Sequence, residues 1–366
     1  MKILLLANPA SVHTVKWANS LSDKGIDIFI FGLNKYDKNA FNKNIKIETL
    51  NIPQLLQSNR DGSLTKIIYL LSVKKIKNLL KKIKPDILHA HYVSSYGVLG
   101  ALINFHPYII SAWGSDILIM PGRNIINKKL IEFSLSKADK ICATSKALKE
   151  QAKKYTSKDI EVIPFGIDIK KFKPEKVASS FTNGNIVVGT VKTLEKKYGI
   201  EYLIRSFKIV KEKLPEMKLK LLIVGGGSQE NQFKKLVTEL NLESDTLFTG
   251  YINQYEIPKY HNMMDIFVSL SDSESFGVSA LEASACEKPV VVSDADGFKE
   301  IVKDSMTGII VKRGNIEEAS IAILNLIKNT DLRFKLGAAG RDCVLKNFNW
   351  NENVTKMVEV YNSINF

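Results

Sequence analysis

Residues 265–292 read DIFVSLSDSESFGVSALEASACEKPVVV, and this stretch is the most informative about the fold of the second half of the chain. The short, mostly apolar run Ile266–Ser269 is typical of a strand that is buried on both faces of a parallel sheet. A polar loop follows it, and Ser275–Val278 then opens a helical segment that extends to about Cys286. A strand, a loop and a helix in this order predict one unit of a parallel α/β sheet.

The start of this helix has the features of an anion-binding site. Backbone N–H groups at a helix start favour an anion, and the small residues Ser275 and Gly277 let a phosphate approach them closely. Glu282 lies within the helix, where its carboxylate could accept hydrogen bonds from two ribose hydroxyls. Glu274 precedes the helix and would face whatever group the phosphate carries. A carboxylate beside a phosphate site indicates recognition of sugar hydroxyls rather than of a metal ion.

Short apolar runs alternate with longer amphipathic segments on both sides of a polar break at residues 170–184, which carries Pro174 and ends in Asn183-Gly184. Strand candidates run from Ile3–Ala7 to Glu161–Ile163 before the break and from Ile186–Thr190 to Thr307–Val311 after it. Because such alternation builds doubly wound parallel sheets, we expect an α/β fold of two Rossmann-like domains. Ligands bind beyond the carboxyl ends of such strands, which predicts a site in a cleft between the two domains.

Composition excludes several classes of protein. The chain has 366 residues, of which 45% are hydrophobic and 25% are charged, so extensive disorder is excluded. Cys142, Cys286 and Cys343 are far apart and form no C-x-x-C pair, which indicates a reducing cytosol and argues against a thiolate zinc site. Ile3–Ala7 is too short for a signal peptide, and no run approaches the ~18 apolar residues of a membrane span. We expect a cytoplasmic protein that is soluble or at most peripheral to a membrane.

The positive charge is concentrated in the first half of the chain. Residues 1–165 hold 25 Lys and Arg against 12 Asp and Glu, a net +13 of the total +14. Such asymmetry points to a polyanionic partner, either a nucleic acid or an anionic membrane. Residues 64–84 have the pattern of a basic amphipathic helix with a face for anionic lipid, formed by Lys74, Lys77, Lys81 and Lys84. An ordinary crossover helix with solvated lysines would show the same pattern, and both interpretations stay open.

Beyond these single features, an ordered set of motifs resembles the retaining GT-B glycosyltransferases of glycosyltransferase family 4. The resemblance covers nearly the whole chain. Its motifs, in chain order, are VIPFGID (162–168), GTVKTLEKKYGIEYLI (189–204), LLIVGGG (221–227), F-x-G (248–250), E-x7-E (274–282), PVVVSDADGFKEIV (289–302), GII (308–310) and FNW (348–350).

The resemblance implies that the second domain, residues 185–345, binds a nucleotide-diphosphate sugar. Lys192 and Lys197 match the family's basic pair, which neutralises the donor diphosphate as it leaves. With Glu274, which would hold the donor sugar, they form the implied catalytic set, while Glu282 would hold the ribose. The other implied donor contacts are Ser11, Tyr251, Ile252, Ser275, Phe276, Gly277 and Val278.

We expect neither a metal nor another cofactor. Asp294-Ala295-Asp296 has the spacing of a metal motif, but it falls where the family has a glycine-rich loop, and no other ligand cluster supports it. His89 and His91 would share one face of a strand, and we expect a structural pair rather than a metal site, since no third ligand is visible.

The first domain, residues 1–169, matches the family more loosely. Asn8–His13 takes the place of a glycine-rich loop that approaches the donor phosphate, and Ser11 is its expected contact. Trp113 stands where many members have a histidine that touches the donor sugar, and it would instead stack on a sugar ring. We expect the C-terminal helix, residues 346–366, to pack back toward this domain. The implied acceptor-side or sugar contacts are His91, Trp113, Gly114, Ser115 and Asp116.

The resemblance therefore implies a retaining, metal-independent glycosyltransferase. Its expected acceptor is a lipid-linked glycan of cell-envelope polysaccharide synthesis, and its expected place is the inner face of the cell membrane. A nucleotide-sugar 2-epimerase of the same fold is an alternative. Product analysis with and without acceptor would distinguish it from a transferase. A non-catalytic nucleic-acid-binding protein, suggested by the pI of about 9.4, is a further alternative, but the chain lacks an aromatic-interleaved basic motif and a helix-turn-helix signature.

Overall fold

The computed structural model describes residues 1–52, 62–178, 181 and 184–364, with only the backbone for 62–70. Contacts divide the chain into two compact units, Met1–Pro164 with Asn351–Phe366 and Phe165–Trp350. The first segment thus ends before residue 169, where the sequence pattern places the boundary. The reason is that Ile167 bonds to the end of the second unit: its N–H donates to the carbonyl of Phe348 (2.7 Å), and its carbonyl accepts from Trp350 (3.0 Å).

The first unit is built on a parallel sheet, whose strands in the described ranges follow the order β3-β2-β1-β4-β5-β6-β7. The apolar runs predict all of these strands except β3, because β3 is an edge strand of sequence KIET that is only partly buried. The strands are β1 (Lys2–Leu6), β2 (Asp27–Gly32), β3 (Lys46–Thr49), β4 (Ile87–His91), β5 (Tyr108–Ala112), β6 (Lys140–Ala143) and β7 (Ile160–Val162).

Helices cover this sheet and bury their apolar faces against it. Ile76, Leu99 and Leu135 from three helices share one core with strand residues such as Leu4 and Ile110. The helices that the structure describes here are Val12–Asp23, Gly62–Ile83, Tyr96–Ile103, Ser115–Leu118, Met120–Arg123, Ile125–Lys137, Lys146–Ala152 and Trp350–Asn362.

The second unit has its own parallel sheet, of order β10-β9-β8-β11-β12-β13 in the described part of the chain. Its strands are β8 (Ile186–Val191), β9 (Leu219–Val224), β10 (Thr246–Phe248), β11 (Ile266–Ser269), β12 (Val290–Ser293) and β13 (Ile309–Val311). Its helices are Ile200–Lys213, Glu230–Glu239, Ile257–Met263, Val278–Ala285, Asp296–Ile301, Ile316–Lys328 and Thr330–Asn347.

Each sheet has a point where the strand order reverses, and these points locate the sites. In the second unit β8 lies between β9 and β11, and in the first unit β1 lies between β2 and β4. Ligands of doubly wound sheets bind outside the carboxyl ends of the strands at such a point. Functional residues are therefore expected in the segments after β8 and β11 and after β1 and β4.

None of the helices in the described ranges is long and apolar enough to cross a membrane.

Candidate functional site

Lys192 and Glu274 meet at the reversal point of the second sheet. Lys192 follows the last residue of β8, and its backbone N–H donates to the carbonyl of Val224 (2.9 Å). Glu274 lies in the loop after β11, and its Oε2 accepts a hydrogen bond from the Lys192 ammonium. Both side chains are only 11% exposed. Because an unpaired charge is costly to bury, each group compensates the other.

Lys197 lies in the turn that follows β8 and adds a second cation. The ring of Tyr198 is 4.7 Å from the Lys192 ammonium and 4.8 Å from the Lys197 ammonium, measured to its centroid. The carbonyl of Lys197 accepts a hydrogen bond from the N–H of Asp272 (2.9 Å), which ties this turn to the loop that carries Glu274. Two ammonium groups therefore lie beside one ring at this edge of the sheet, and cations in such a place suit a diphosphate.

Two glycines allow this close packing of loops. A Cβ on Gly225, whose φ is +129°, would lie 2.1 Å from the carbonyl oxygen of Lys192. A Cβ on Gly297 would lie 2.6 Å from the carbonyl oxygen of Glu274, to which the Gly297 N–H donates at 3.1 Å. Any side chain at either position would displace the backbone of Lys192 or of Glu274, so these glycines fix the geometry of the ion pair.

The predicted phosphate site forms the start of the helix Val278–Ala285. Gly277 takes the left-handed conformation (φ +97°) before this helix, which has no side-chain cap. Phe276 is 1% exposed, and its ring packs beside Phe165 and Phe348, so only its backbone can face a ligand. An uncapped helix start next to Lys192 is chemically suited to an anion.

Glu282 lies within the same helix and contacts a histidine that the sequence pattern does not reveal. The side chain of Glu282 is nearly buried, and its Oε2 lies 3.4 Å from Nε2 of the fully buried His261. His261 belongs to the helix Ile257–Met263, and its ring packs beside Phe172 and Phe267. A single histidine in an amphipathic segment carries no signal of its own, which is why sequence reasoning missed it.

Lys171 is a second residue near Glu282 that sequence reasoning missed. Burial lowers the pKa of the Lys171 ammonium, and the nearby carboxylates of Glu282 and Asp168 partly oppose this shift. The ammonium donates a hydrogen bond to the carbonyl of Gln254 (2.8 Å). Glu282 therefore lies in a largely buried setting with a histidine in contact and a cation nearby.

Tyr251 and Ile252, which are expected to line a base pocket, come directly after Gly250 in the chain. Gly250 is hydrogen-bonded to the loop that contains Gly225. The N–H of Gly225 donates to the carbonyl of Gly250 (3.1 Å), and this places Tyr251 beside the loop after β9. Tyr251 is 83% exposed and Ile252 is partly buried. An exposed tyrosine ring at this edge is free to stack on a planar group.

The carboxylate of Asp294 is already engaged within the protein. It accepts hydrogen bonds from the backbone N–H (3.1 Å) and from Nε (2.9 Å) of Arg313. Although burial raises the pKa of Asp294, the hydrogen bonds from Arg313 outweigh it and lower this pKa. Among the residues that the structure describes, no group of three His, Cys, Asp or Glu side chains is arranged to hold a metal ion.

Ser11 and His91 lie in the segments at the reversal point of the first sheet, after β1 and at the end of β4. Ser11 is the N-cap residue of the helix Val12–Asp23, and its backbone N–H donates to the carbonyl of Asn8 (3.1 Å). His91 ends β4 and is buried, and its ring lies 4.4 Å from that of Trp113. Trp113 is 8% exposed, so little of its ring surface is left for the sugar stacking that the sequence suggests.

The loop after Trp113 is organised by a buried carboxylate. Asp116 is 0% exposed and accepts hydrogen bonds from the N–H groups of Val93 (2.8 Å), Gly114 (2.7 Å) and Trp113. Burial raises the pKa of Asp116, and these backbone hydrogen bonds partly oppose the shift. The hydroxyl of Ser115 is within 3.0 Å of the Tyr92 hydroxyl. Asp116 thus holds the loop in shape from inside rather than from its solvent face.

His89, the partner of His91 on β4, uses both ring nitrogens within the first unit. Nδ1 is 2.8 Å from the hydroxyl of Tyr361, and Nε2 is 2.8 Å from Oγ of Ser111. Burial lowers the pKa of His89 to about 3. The imidazole is therefore neutral at ordinary pH and joins the C-terminal helix to β4 and β5.

The lysines of the basic helix lie on its outer side. Lys74, Lys77, Lys81 and Lys84 are exposed, whereas Ile76, Leu79 and Ile83 are buried. The charged face is therefore accessible from solution, as the periodicity predicts.

Two family models match this chain, one in each of its two halves. The model described as Glycosyl transferases group 1 matches residues 172–342. The model described as Glycosyl transferase 4-like matches residues 2–145.

Known proteins agree with these matches. An uncharacterized glycosyltransferase of Methanocaldococcus jannaschii is 28% identical, with 93% of this chain and 91% of that protein covered. The capsular polysaccharide biosynthesis glycosyltransferase CapM of Staphylococcus aureus is 29% identical, with 77% and 79% covered. The crystal structure of HepE of Anabaena in complex with UDP and glucose superposes with a TM-score of 0.80, at 19% identity and with 100% of both chains covered. This chain belongs to the group 1 glycosyltransferases of glycosyltransferase family 4 and has the GT-B fold.

Proposed function

We propose that this protein transfers a sugar, with retention of configuration, from a nucleotide-diphosphate sugar to a hydroxyl of a lipid-linked glycan in cell-envelope polysaccharide synthesis. The observation that supports it most is the ion pair of Lys192 and Glu274, which lies beside an uncapped helix start at the reversal point of the second sheet. The UDP and glucose of HepE and the capsular role in the name of CapM favour the same chemistry.

The donor binds along the carboxyl edge of the second sheet. Its diphosphate lies between Lys192, Lys197 and the helix start after Gly277, where cations and backbone N–H groups attract negative charge. Lys192 then turns from Glu274 toward phosphate, which leaves the Glu274 carboxylate available to the hydroxyls of the sugar. The carboxylate of Glu282 accepts hydrogen bonds from the ribose hydroxyls. Tyr251 and Ile252 contact the base.

The reaction exchanges one bond at the anomeric carbon. The bond to the diphosphate oxygen breaks, and the acceptor hydroxyl forms the new bond on the same face of the sugar. The departing phosphate oxygen takes the proton of that hydroxyl, so the step needs no side-chain nucleophile and no metal ion. The two lysines are catalytic because the negative charge they face increases as the diphosphate leaves.

The charge of the first half of the chain supports the proposed acceptor class. Residues 1–165 carry a net +13, and the basic helix exposes Lys74, Lys77, Lys81 and Lys84. Each lysine near an anionic bilayer contributes about 1 kcal/mol of attraction. We therefore place the enzyme in the cytoplasm, at the inner face of the cell membrane, with a lipid-linked acceptor and without a nucleic-acid partner.

A thermal-shift panel of UDP- and GDP-sugars, followed by transfer assays on lipid-linked acceptors, tests this function. We expect one nucleotide sugar to raise the unfolding temperature and its sugar to appear on the acceptor. If no nucleotide sugar stabilises the protein, the donor assignment is wrong. If a changed nucleotide sugar forms without any acceptor, the protein is an epimerase.

Flotation with vesicles that contain phosphatidylglycerol tests the membrane contact separately. The variant K74E/K77E/K81E should float much less than the unsubstituted protein, because reversed charges repel the anionic surface. Equal flotation would show that the basic helix does not contact the membrane.

A further inference from the structure

The first unit exposes a second surface that none of the roles described so far requires. Five large aliphatic side chains between residues 118 and 130 are more than a third exposed, and we call them the Leu118–Leu130 patch. They are Leu118 (37%), Ile119 (37%), Ile125 (63%), Ile126 (67%) and Leu130 (38%). A concentration of exposed aliphatic groups marks an interaction surface, whereas scattered ones are normal.

This exposure is not the result of an incomplete core, because the same helices bury other residues. Ile117, Ile131 and Leu135 are each at most 2% exposed and pack in the core of the first unit. Ile126 and Leu130 are four residues apart, so they lie on one face of the helix Ile125–Lys137. The patch is therefore a solvent-exposed apolar surface on helices whose other face is packed in the core.

The exposed charged residues between residues 115 and 130 are all basic. Between residues 115 and 130 the charged residues are Asp116, Arg123, Lys128 and Lys129, and Asp116 is fully buried. The three basic residues are exposed, and Lys128 also contacts Glu132 at 3.8 Å. Apolar side chains next to exposed cations are the combination by which protein segments enter the interface of an anionic bilayer.

The position of the patch relates it to the acceptor. The helix Ser115–Leu118 begins shortly after the carboxyl end of β5, at the edge of the sheet where ligands of this fold class bind. An apolar surface here would hold the first unit against the bilayer close to the head group of a lipid-linked acceptor.

We propose that the Leu118–Leu130 patch inserts into the interface of an anionic bilayer, below the level of the phosphates. This inference rests on the proposed function, since it takes the acceptor to be anchored in a membrane. A second copy of the chain fits less well, because a two-fold interface would bring Arg123, Lys128 and Lys129 near the same cations of the other copy. The patch adds apolar insertion to the electrostatic attraction of the basic helix.

Salt separates these two contributions. In about 1 M salt the Debye length falls to about 3 Å, which removes most of the attraction between exposed lysines and a bilayer. Apolar insertion persists under these conditions. Flotation of the full chain with vesicles of phosphatidylcholine and phosphatidylglycerol at low and high salt therefore isolates the contribution of the patch.

The test compares I125S/I126S with I321S/F334S, which removes two exposed apolar side chains from the second unit (Ile321 59%, Phe334 71% exposed). At high salt we expect I125S/I126S to lower the bound fraction about tenfold and I321S/F334S to leave it unchanged. Equal unfolding temperatures of the two variants would show that neither effect comes from misfolding.

Two results would overturn the inference. One is equal flotation of I125S/I126S and the unsubstituted protein at high salt. The other is a dimer in sedimentation that I125S/I126S dissociates while vesicle binding stays the same, since the patch would then join two copies. Neither result depends on catalysis: a failure to bind any nucleotide sugar would reject the proposed function and leave the flotation result as it stands.

Discussion

The ammonium of Lys192 donates a hydrogen bond to the carboxylate of Glu274, and both side chains are 11% exposed. The pair joins the segments that follow two adjacent parallel strands, β8 and β11, and the glycines Gly225 and Gly297 pack against the backbone of the two residues. Transfer of a sugar from a nucleotide diphosphate requires a cation beside the leaving diphosphate and an acceptor of hydrogen bonds beside the sugar. In the protein without donor, each of these groups balances the other.

Replacement of Lys192 by alanine tests this double role. Transfer should fall by about 100- to 1,000-fold, because a positive charge at the leaving diphosphate is lost. Stability should also fall by about 3 kcal/mol, because the Glu274 carboxylate stays nearly buried without its partner. Urea unfolding and a transfer assay give the two quantities.

The double variant K192M/E274L is the matched control for that experiment. Replacing both charges by apolar groups should restore most of the stability but none of the transfer. A fully stable K192A, or a K192M/E274L that transfers normally, would contradict the roles given to this pair.

Glu282 should determine the affinity for the nucleotide. E282A should weaken the binding of the nucleoside diphosphate by about 10- to 100-fold, since hydrogen bonds from the ribose to a carboxylate are lost. H261A should have a smaller effect in the same direction, because His261 contacts Glu282 rather than the ribose. Titration calorimetry measures both, with E239A on an exposed helix face as the control. Unchanged affinity of E282A would remove the ribose assignment.

Removal of metal ions should not affect the reaction. We expect the transfer rate to be the same within a factor of about two with and without excess EDTA, since the two lysines and the helix start supply the positive charge. D294N should weaken the contact with Arg313, because the charge of the acceptor is lost, without making the rate dependent on added Mg²⁺. Loss of activity in EDTA that Mg²⁺ restores would show that a divalent cation takes part.

Acid should destabilise the first unit through His89. Its pKa falls from an ordinary value of 6.5 to about 3 in the folded protein because of burial. Between these values the unfolded chain binds a proton that the folded protein does not, so the free energy of unfolding decreases as the pH falls from 6.5 toward 3. The full loss is about 5 kcal/mol for this shift.

The variant H89N isolates that contribution. Urea unfolding between neutral and moderately acidic pH should show a weaker pH dependence for H89N than for the unsubstituted protein, by about one proton. His91 is also buried and its pKa is also lowered, so the stability of H89N should still depend on pH, but less strongly. An unchanged slope in H89N would contradict the neutral, buried state of this imidazole.

Much of the architecture could be predicted from sequence because strands buried on both faces appear as short apolar runs. The run Ile266–Ser269, for example, has the bounds of β11. Lys46–Thr49 could not be found in this way, because an edge strand has no such pattern. The boundary at Pro164 depends on hydrogen bonds between Ile167 and residues near 349, which a local pattern does not contain.

The donor side of the site was visible in sequence because it lies on one continuous motif and its neighbouring strand. Glu274, Gly277 and Glu282 are close in the chain, and their spacing on a loop and a helix carries the chemistry. His261 and Lys171 approach Glu282 only through the fold. The burial of Trp113 among His13, His91 and Tyr92 likewise depends on contacts between separate loops.

The measurement that tests the central claim most directly is the fate of the labelled sugar of each nucleotide sugar, incubated with the protein and a bacterial lipid extract. We predict that the label of one donor appears in a glycolipid, that its anomeric carbon has the configuration it had in the donor, and that the K192A/K197A variant forms none of this product. If no donor yields labelled lipid, or if the product has the inverted configuration, the protein is not the retaining lipid-directed transferase proposed here.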